Sequence, residues 1–171
     1  VGVPLHEGHV GERHREWFVA LPERLPRHDL IDRASDIGER VQPVEAAGAE
    51  LACYHKIVDP DKFTLVHFHG NGEAVADYVP DMVEVFANLG LNALFVEYRE
   101  YGGSTGQAQL VSMLGDGEAA IAAAGLAPQR VIAFGRSIGS LYAIELAYRH
   151  PEIAGLILES GIADPAERFL T

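Results

Sequence analysis

An α/β fold is what this sequence predicts: a mostly parallel sheet with helices on both faces, ending after about its sixth strand. Three observations carry the prediction. Strand-like and helix-like segments alternate over residues 63–160, the pattern of strands joined by helical crossovers. The run FTLVHFHG at 63–70 is almost continuously apolar, as a strand covered on both faces must be. Finally, 171 residues with 48% hydrophobic and 22% charged side chains suit one globular domain large enough to bury a core.

The elements follow in order. Residues 1–40 are polar, rich in histidine and poorly periodic, with Pro22 and Pro26 breaking any helix around ALPERLPRHD; they read as a lead-in with one short helix near 31–38. Residues 41–171 form the folded unit. VQPVEAAGAELACYHKI predicts two strands joined through Gly48, followed by a turn at DPDK. After the buried strand comes EAVADYVPDMVEVFANLG, a helix whose apolar stripe is Val79, Met82, Val83, Val85 and Phe86, with Pro80 near its first turn and Gly90 as its stop. NALFVEYRE is a strand, and LVSMLGDGEAAIAAAG a helix weakened by Gly115 and Gly117. RVIAFG is a strand, 138–149 a helix and GLILES the final strand. No internal repeat or low-complexity tract interrupts the series.

Charge narrows the partners. A formal charge of −12 argues against nucleic acid and against an anionic membrane surface, since both need a basic patch. Small molecules or proteins are the expected partners. A lone cysteine, Cys53, excludes an internal disulfide framework and fits a reducing, cytoplasmic setting. No run approaches the roughly 18 apolar residues of a membrane span, and the opening HEGHVGERHREW is too polar for a signal peptide. The first residue is Val rather than Met, which is compatible with an incomplete chain.

The chemistry lies at Gly135-Arg136-Ser137-Ile138-Gly139. A G-x-S-x-G block between a strand and a helix lifts its serine above the carboxyl edge of the sheet. Side chains at Gly135 and Gly139 would collide with the adjoining strand and helix, so glycine costs least there. The Ile138 amide then opens the helix and points to where a substrate oxygen gains charge. A second donor is expected from His69-Gly70-Asn71-Gly72, where glycines let the backbone approach closely; Asn71 is the candidate. Other residues receive plainer readings. His67 and His69 are packing or hydrogen-bonded structural residues, and Cys53 is a small core residue. His6, His9 and His14 lack the H-E-x-x-H spacing of a metal site and read as a solvated segment. Asp59, Asp61, Glu73 and Asp81 read as solvated surface. No metal or organic cofactor is expected.

The blocks HFHGNGEA, FVEYREYGGSTG, AFGRSIGS and GLILESG, in this order and at these spacings, resemble the α/β-hydrolase superfamily, and most closely its serine-hydrolase branch of acyl esterases, protein-deacylating thioesterases and peptidase-like members. The likeness runs over about 41–171. It implies Ser137 as nucleophile, Asn71 and Ile138 as oxyanion donors, and Tyr98, Arg99, Tyr101 and Gly102 as a structured loop beside the site. Glu100 stands where that branch usually has Gly, so a different loop conformation is expected there.

In this superfamily the triad runs Ser, then Asp or Glu, then His. Here Asp164 follows a strand suited to the acid, though it equally suits an N-cap for PAERFL. His150 is the only histidine after Ser137, and it falls at the far end of the following helix. A nucleophile and an oxyanion hole without a base make a feeble catalyst. The final strand would also be left as an open edge. The expectation is therefore a C-terminally incomplete serine hydrolase that cleaves an ester, thioester or amide, nearly inactive as 171 residues, with its acid and histidine beyond residue 171. The alternative is a non-catalytic binding or interaction module that closes its sheet edge with another subunit. A dinucleotide-binding domain, built on Gly70-x-Gly72 and Glu97, ranks lower, because Val75 occupies the third glycine position and Glu73 would oppose the pyrophosphate.

Overall fold

The computed structural model describes residues 40–79 and 81–164. The predicted helix at 31–38, the placement of Pro80, the histidines of the first fourteen residues and the PAERFL segment lie outside these residues. Among the described residues, six strands form one sheet: β1 (Arg40–Ala46), β2 (Ala49–Lys56), β3 (Thr64–Phe68), β4 (Asn92–Val96), β5 (Val131–Arg136) and β6 (Gly155–Glu159). Their order across the sheet is β1-β2-β4-β3-β5-β6. β1 and β2 form an antiparallel hairpin, β2 meets β4 antiparallel, and β4, β3, β5 and β6 run parallel. Gly48, at φ 77, makes the hairpin turn, as its place between the two apolar segments predicts.

Among the described residues, five α-helices connect the strands: α1 (Val75–Tyr78), α2 (Met82–Asn88), α3 (Leu110–Met113), α4 (Asp116–Ala123) and α5 (Gly139–Arg149), with a 3-10 turn at Pro128–Arg130. Two of the expected long helices are each split. The first becomes α1 and α2, on either side of Pro80; Val79, Val83 and Phe86 are buried and Met82 half-buried, while Val85 is exposed. The second breaks at Leu114 and Gly115 into α3 and α4. Gly117 does more than weaken α4: a Cβ there would come within 2.8 Å of the Phe68 ring, so the missing side chain brings the helix down onto β3.

Helices cover both faces, as the alternating pattern predicts. One core packs Val66, Phe68, Leu94 and Val96 against Met113, Ile121, Tyr142 and Leu146. The other packs Leu65, Ala93 and Phe95 against Val75, Val83 and Phe86. Cys53 is fully buried in the first core, where loss of water pushes its thiol up to about 12. Both neighbours of β3 follow it in the chain, β4 on one side and β5 on the other, so the direction in which strands are added reverses at β3. That reversal opens a crevice beyond the carboxyl ends of β3 and β5, where ligands bind in open α/β sheets. The register pairs Phe68 with Gly135 and so sets the His69–Gly72 turn beside the G-x-S-x-G turn.

Candidate active site

The turn at Ser137 is shaped by backbone crowding. Ser137 takes φ 52, a left-handed conformation that L residues adopt at some cost. A Cβ on Gly135 would lie 2.6 Å from the Ser140 Cα, and one on Gly139 would overlap the Phe68 carbonyl and lie 2.7 Å from the His69 oxygen. Both glycines are therefore required by space, in agreement with the collisions expected from sequence. Three hydrogen bonds hold the strained serine. Its N–H donates to the Glu159 carbonyl at 2.9 Å, and its own carbonyl accepts from the Ser140 amide at 3.0 Å and the Ser140 hydroxyl at 2.6 Å.

Asn71 and Ile138 come together at one cleft, which Tyr98, Tyr101 and Tyr142 also line. Neither the Asn71 nor the Ile138 amide donates to a backbone carbonyl among the described residues. Two N–H groups left unspent at the mouth of a cleft, one of them opening α5, make a site able to receive a negative oxygen.

The surroundings of these donors rest on buried polar contacts. Glu97, at the end of β4, is 0% exposed. Its carboxylate accepts from the Val75 amide at 2.9 Å and the Tyr98 amide at 3.0 Å, and is hydrogen-bonded to His69 Nε2 at 2.8 Å. His69 Nδ1 donates to the Gly70 carbonyl at 2.9 Å. With both ring nitrogens engaged and no exposure, His69 is a structural residue, as its place on the strand end suggests. Glu97 is equally unavailable to a ribose, which removes the premise of the dinucleotide-binding alternative. Tyr98 donates its hydroxyl to the His69 carbonyl at 2.7 Å, and Tyr101 donates to Asn71 Oδ1 at 3.0 Å. The 98–106 loop is then fastened elsewhere. Arg99 makes a two-pronged pair with buried Asp116 at 2.9 and 2.7 Å, which holds its guanidinium pKa above the usual value. Ser104 Oγ accepts from the Ala52 amide and Thr105 Oγ1 from the Glu50 amide.

One expectation needs correction. Glu73 is not solvated surface: it accepts from the Gly70 amide at 2.6 Å, takes the Tyr78 hydroxyl, and pairs with Arg136, the residue before Ser137. One carboxylate thus ties the Asn71 turn to the serine turn. Glu100 takes φ 66, in the left-handed region that glycine adopts at less cost. A bond from the Ala108 amide to Glu100 Oε2 at 3.1 Å helps to hold it there.

No histidine among the described residues can serve Ser137. His67 is sandwiched among Tyr78, Phe95 and Phe134, with ring centroids 4.5 to 5.3 Å away. Burial, reinforced by His69 and Arg136, pushes its pKa down to about 3. His55 lies on β2, its pKa lowered by burial. His150 caps the far end of α5, beside Glu118 and Glu152 at 3.7 Å, about 18 Å from the elbow at 1.5 Å per helical residue. Asp164 is exposed, beyond β6. Its segment stays near the elbow through a bond from the Ile162 amide to Ser140 Oγ at 3.1 Å. Among the described residues there is no cluster of three or more metal-ligating side chains, and no helix is long and apolar enough to cross a membrane.

The mixed sheet with helices on both faces is the fold of solved α/β hydrolases. The chain thus has the α/β-hydrolase fold, and its curated relatives are α/β-hydrolase domain-containing proteins. Alpha/beta hydrolase domain-containing protein 17B of Homo sapiens is 30% identical to it over 149 residues, covering 84% of this chain and 51% of the human protein. The chain spans about half the length of the curated relatives it matches. An α/β hydrolase from Novosphingobium aromaticivorans superposes with a TM-score of 0.60 at 24% identity, covering 70% of this chain and 43% of that one. The thioesterase domain from the curacin biosynthetic pathway gives 0.62 at 18%, covering 77% and 51%. No protein-family model matches the chain.

Proposed function

We propose that this chain is the N-terminal part of a serine hydrolase acting on an ester, thioester or amide, with 41–171 in the hydrolase domain and 1–40 as its lead-in. Ser137 Oγ adds to the carbonyl carbon as its proton passes to a histidine beyond residue 171. The amides of Asn71 and Ile138 hold the oxyanion while the alcohol, thiol or amine leaves with that proton. Water then cleaves the acyl-serine, returning the hydroxyl and releasing the acid. The triad acid is also expected beyond residue 171, with Asp164 the weaker candidate. A cytoplasmic location belongs to the same reading.

The observation that carries it is that Asn71 and Ile138, whose amides donate to no backbone carbonyl among the described residues, line one cleft, and that Ile138 directly follows the left-handed Ser137. In the full-length protein, Ser137→Ala is expected to abolish ester cleavage and labelling by a fluorophosphonate while the melting temperature stays nearly constant. Cleavage retained in that variant would rule out the nucleophile. The engagement of both His69 ring nitrogens, the enclosure of His67 among aromatic rings and the position of His150 at the far end of α5 favour a second reading, a non-catalytic module that pairs with another subunit through β6. Under it the wild-type protein is an oligomer and Ser137 takes no label.

A further inference from the structure

We infer that the cleft between the elbow and α3 seats an uncharged acyl group of about six carbons, roughly the size of the benzene that a comparable protein cavity accepts, with Leu110 and Met113 setting that limit. The inference deepens the serine-hydrolase reading and rests on it.

The cleft has a volume of about 170 Å³. Its wall contains no charged side chain: Asn71 comes from the turn after β3, Ile138 from the elbow, Leu110 and Met113 from α3, and the tyrosines with Ala108 complete it. Leu110 and Met113 stand three residues apart, on one face of their helix. Two of the tyrosines present rings rather than hydroxyls, because Tyr98 OH is spent on the His69 carbonyl and Tyr101 OH on Asn71 Oδ1. Tyr142 is buried, and burial raises its pKa, so its phenol stays neutral. An acyl carbonyl held by the Asn71 and Ile138 amides thus has its chain directed into an apolar space beside them. An apolar cavity of about 150 Å³ accepts one benzene molecule, and this cleft is of the same order. A long fatty chain would leave most of its carbons outside.

The lining residues also show how the limit could be moved. Leu110 is half-buried and opens the short α3, so its size can be changed with less disturbance than that of the buried Met113. Leu110→Ala lengthens the space; Leu110→Trp fills it.

The test is the chain-length profile of the full-length protein with p-nitrophenyl acetate, butyrate, hexanoate, octanoate and dodecanoate, read as kcat/KM. The expected profile peaks at butyrate to hexanoate and falls at least about tenfold by dodecanoate, in line with the discrimination a shaped apolar pocket achieves. Leu110→Ala should move the peak to octanoate, and Leu110→Trp to acetate. A profile that stays flat or rises to dodecanoate, with turnover that Ser137→Ala abolishes, overturns the size limit and leaves the nucleophile standing. Peaks that stay put in both Leu110 variants overturn the role of that residue. Turnover that survives Ser137→Ala, or no turnover with any ester together with no labelling of Ser137 by a fluorophosphonate, overturns the serine-hydrolase reading and this inference together.

Discussion

At residues 135–139 the chain turns because glycine leaves room that any side chain would take from backbone, while the loop across the cleft, 98–106, is held by side chains that reach to β2 and α4. The first is shaped by exclusion and lies within five consecutive residues. The second is shaped by attachment, through partners as far apart in sequence as Arg99 and Asp116, 17 residues, or Glu50 and Thr105, 55 residues. A steric turn of this kind has no graded response, because a Cβ at Gly139 meets β3 carbonyls that have nowhere to move. An attached loop loses stability bond by bond.

Gly139→Val should therefore have the largest effect. Its loss is expected to exceed about 4 kcal/mol, the range reached by backbone collisions and core disruption, and thermal denaturation should show no native transition; a cooperative melt would show that the turn can relax. Asp116→Ala should cost about 3 to 5 kcal/mol, the usual result of leaving a buried cation without its partner, and urea denaturation would measure it. A loss under about 1 kcal/mol, the scale of an exposed ion pair, would mean that the 98–106 loop does not depend on its anchor to α4.

The strands under the elbow supply a proton-linked difference. His67 stays neutral in the fold down to about pH 3, whereas in the unfolded chain it gains a proton near its ordinary value of about 6.5. Below that value the unfolded state binds more protons, so stability falls as pH falls, and the loss accumulates down to the folded pKa. His67→Phe should remove this slope and leave the variant about 2 kcal/mol more stable than wild type at pH 5, relative to their difference at pH 7, at about 1.4 kcal/mol per unit. Equal slopes in the two proteins would place the acid sensitivity elsewhere. The smallest effect is expected at Glu100→Gly. Relief of the left-handed strain, about 1 to 2 kcal/mol, is offset by the flexibility of glycine and the lost Ala108 bond, so the net change should stay within about 1 kcal/mol. A larger loss would mean that the side chain, rather than the backbone, holds the loop.

These contrasts also mark what could be read in the sequence. The glycines of the elbow, the Gly48 hairpin and the alternation of strand and helix act over a few residues, and each is visible locally. The division of both long helices was less visible, although Pro80 and Gly115 stood at the breaks. Glu73 looked like any acidic residue after a glycine turn; its value comes from Arg136, 63 positions later, and no local pattern announces such a partner. Glu97 was noticed for the wrong reason, since an acid ending a strand looks the same whether it faces a ribose or a buried histidine. Ser104, Thr105 and Asp116 were missed because their roles depend on β2 and Arg99 being brought alongside. The Glu100 position was legible as a departure, and only the φ of 66 showed that the fold tolerates it.

The bond from the Ser137 amide to the Glu159 carbonyl has a consequence for amide exchange. Among the described residues β6 pairs only with β5, and its Leu156, Ile157 and Leu158 are each more than 40% exposed. Edge strands open more readily than central ones, and an amide exchanges its proton as often as its bond opens. The proton on Ser137 nitrogen should therefore exchange with deuterium at the pace of the sheet margin rather than of the core around Phe68. Anything that clasps the outer side of β6 would slow it, so this single amide reports how firmly the serine is held.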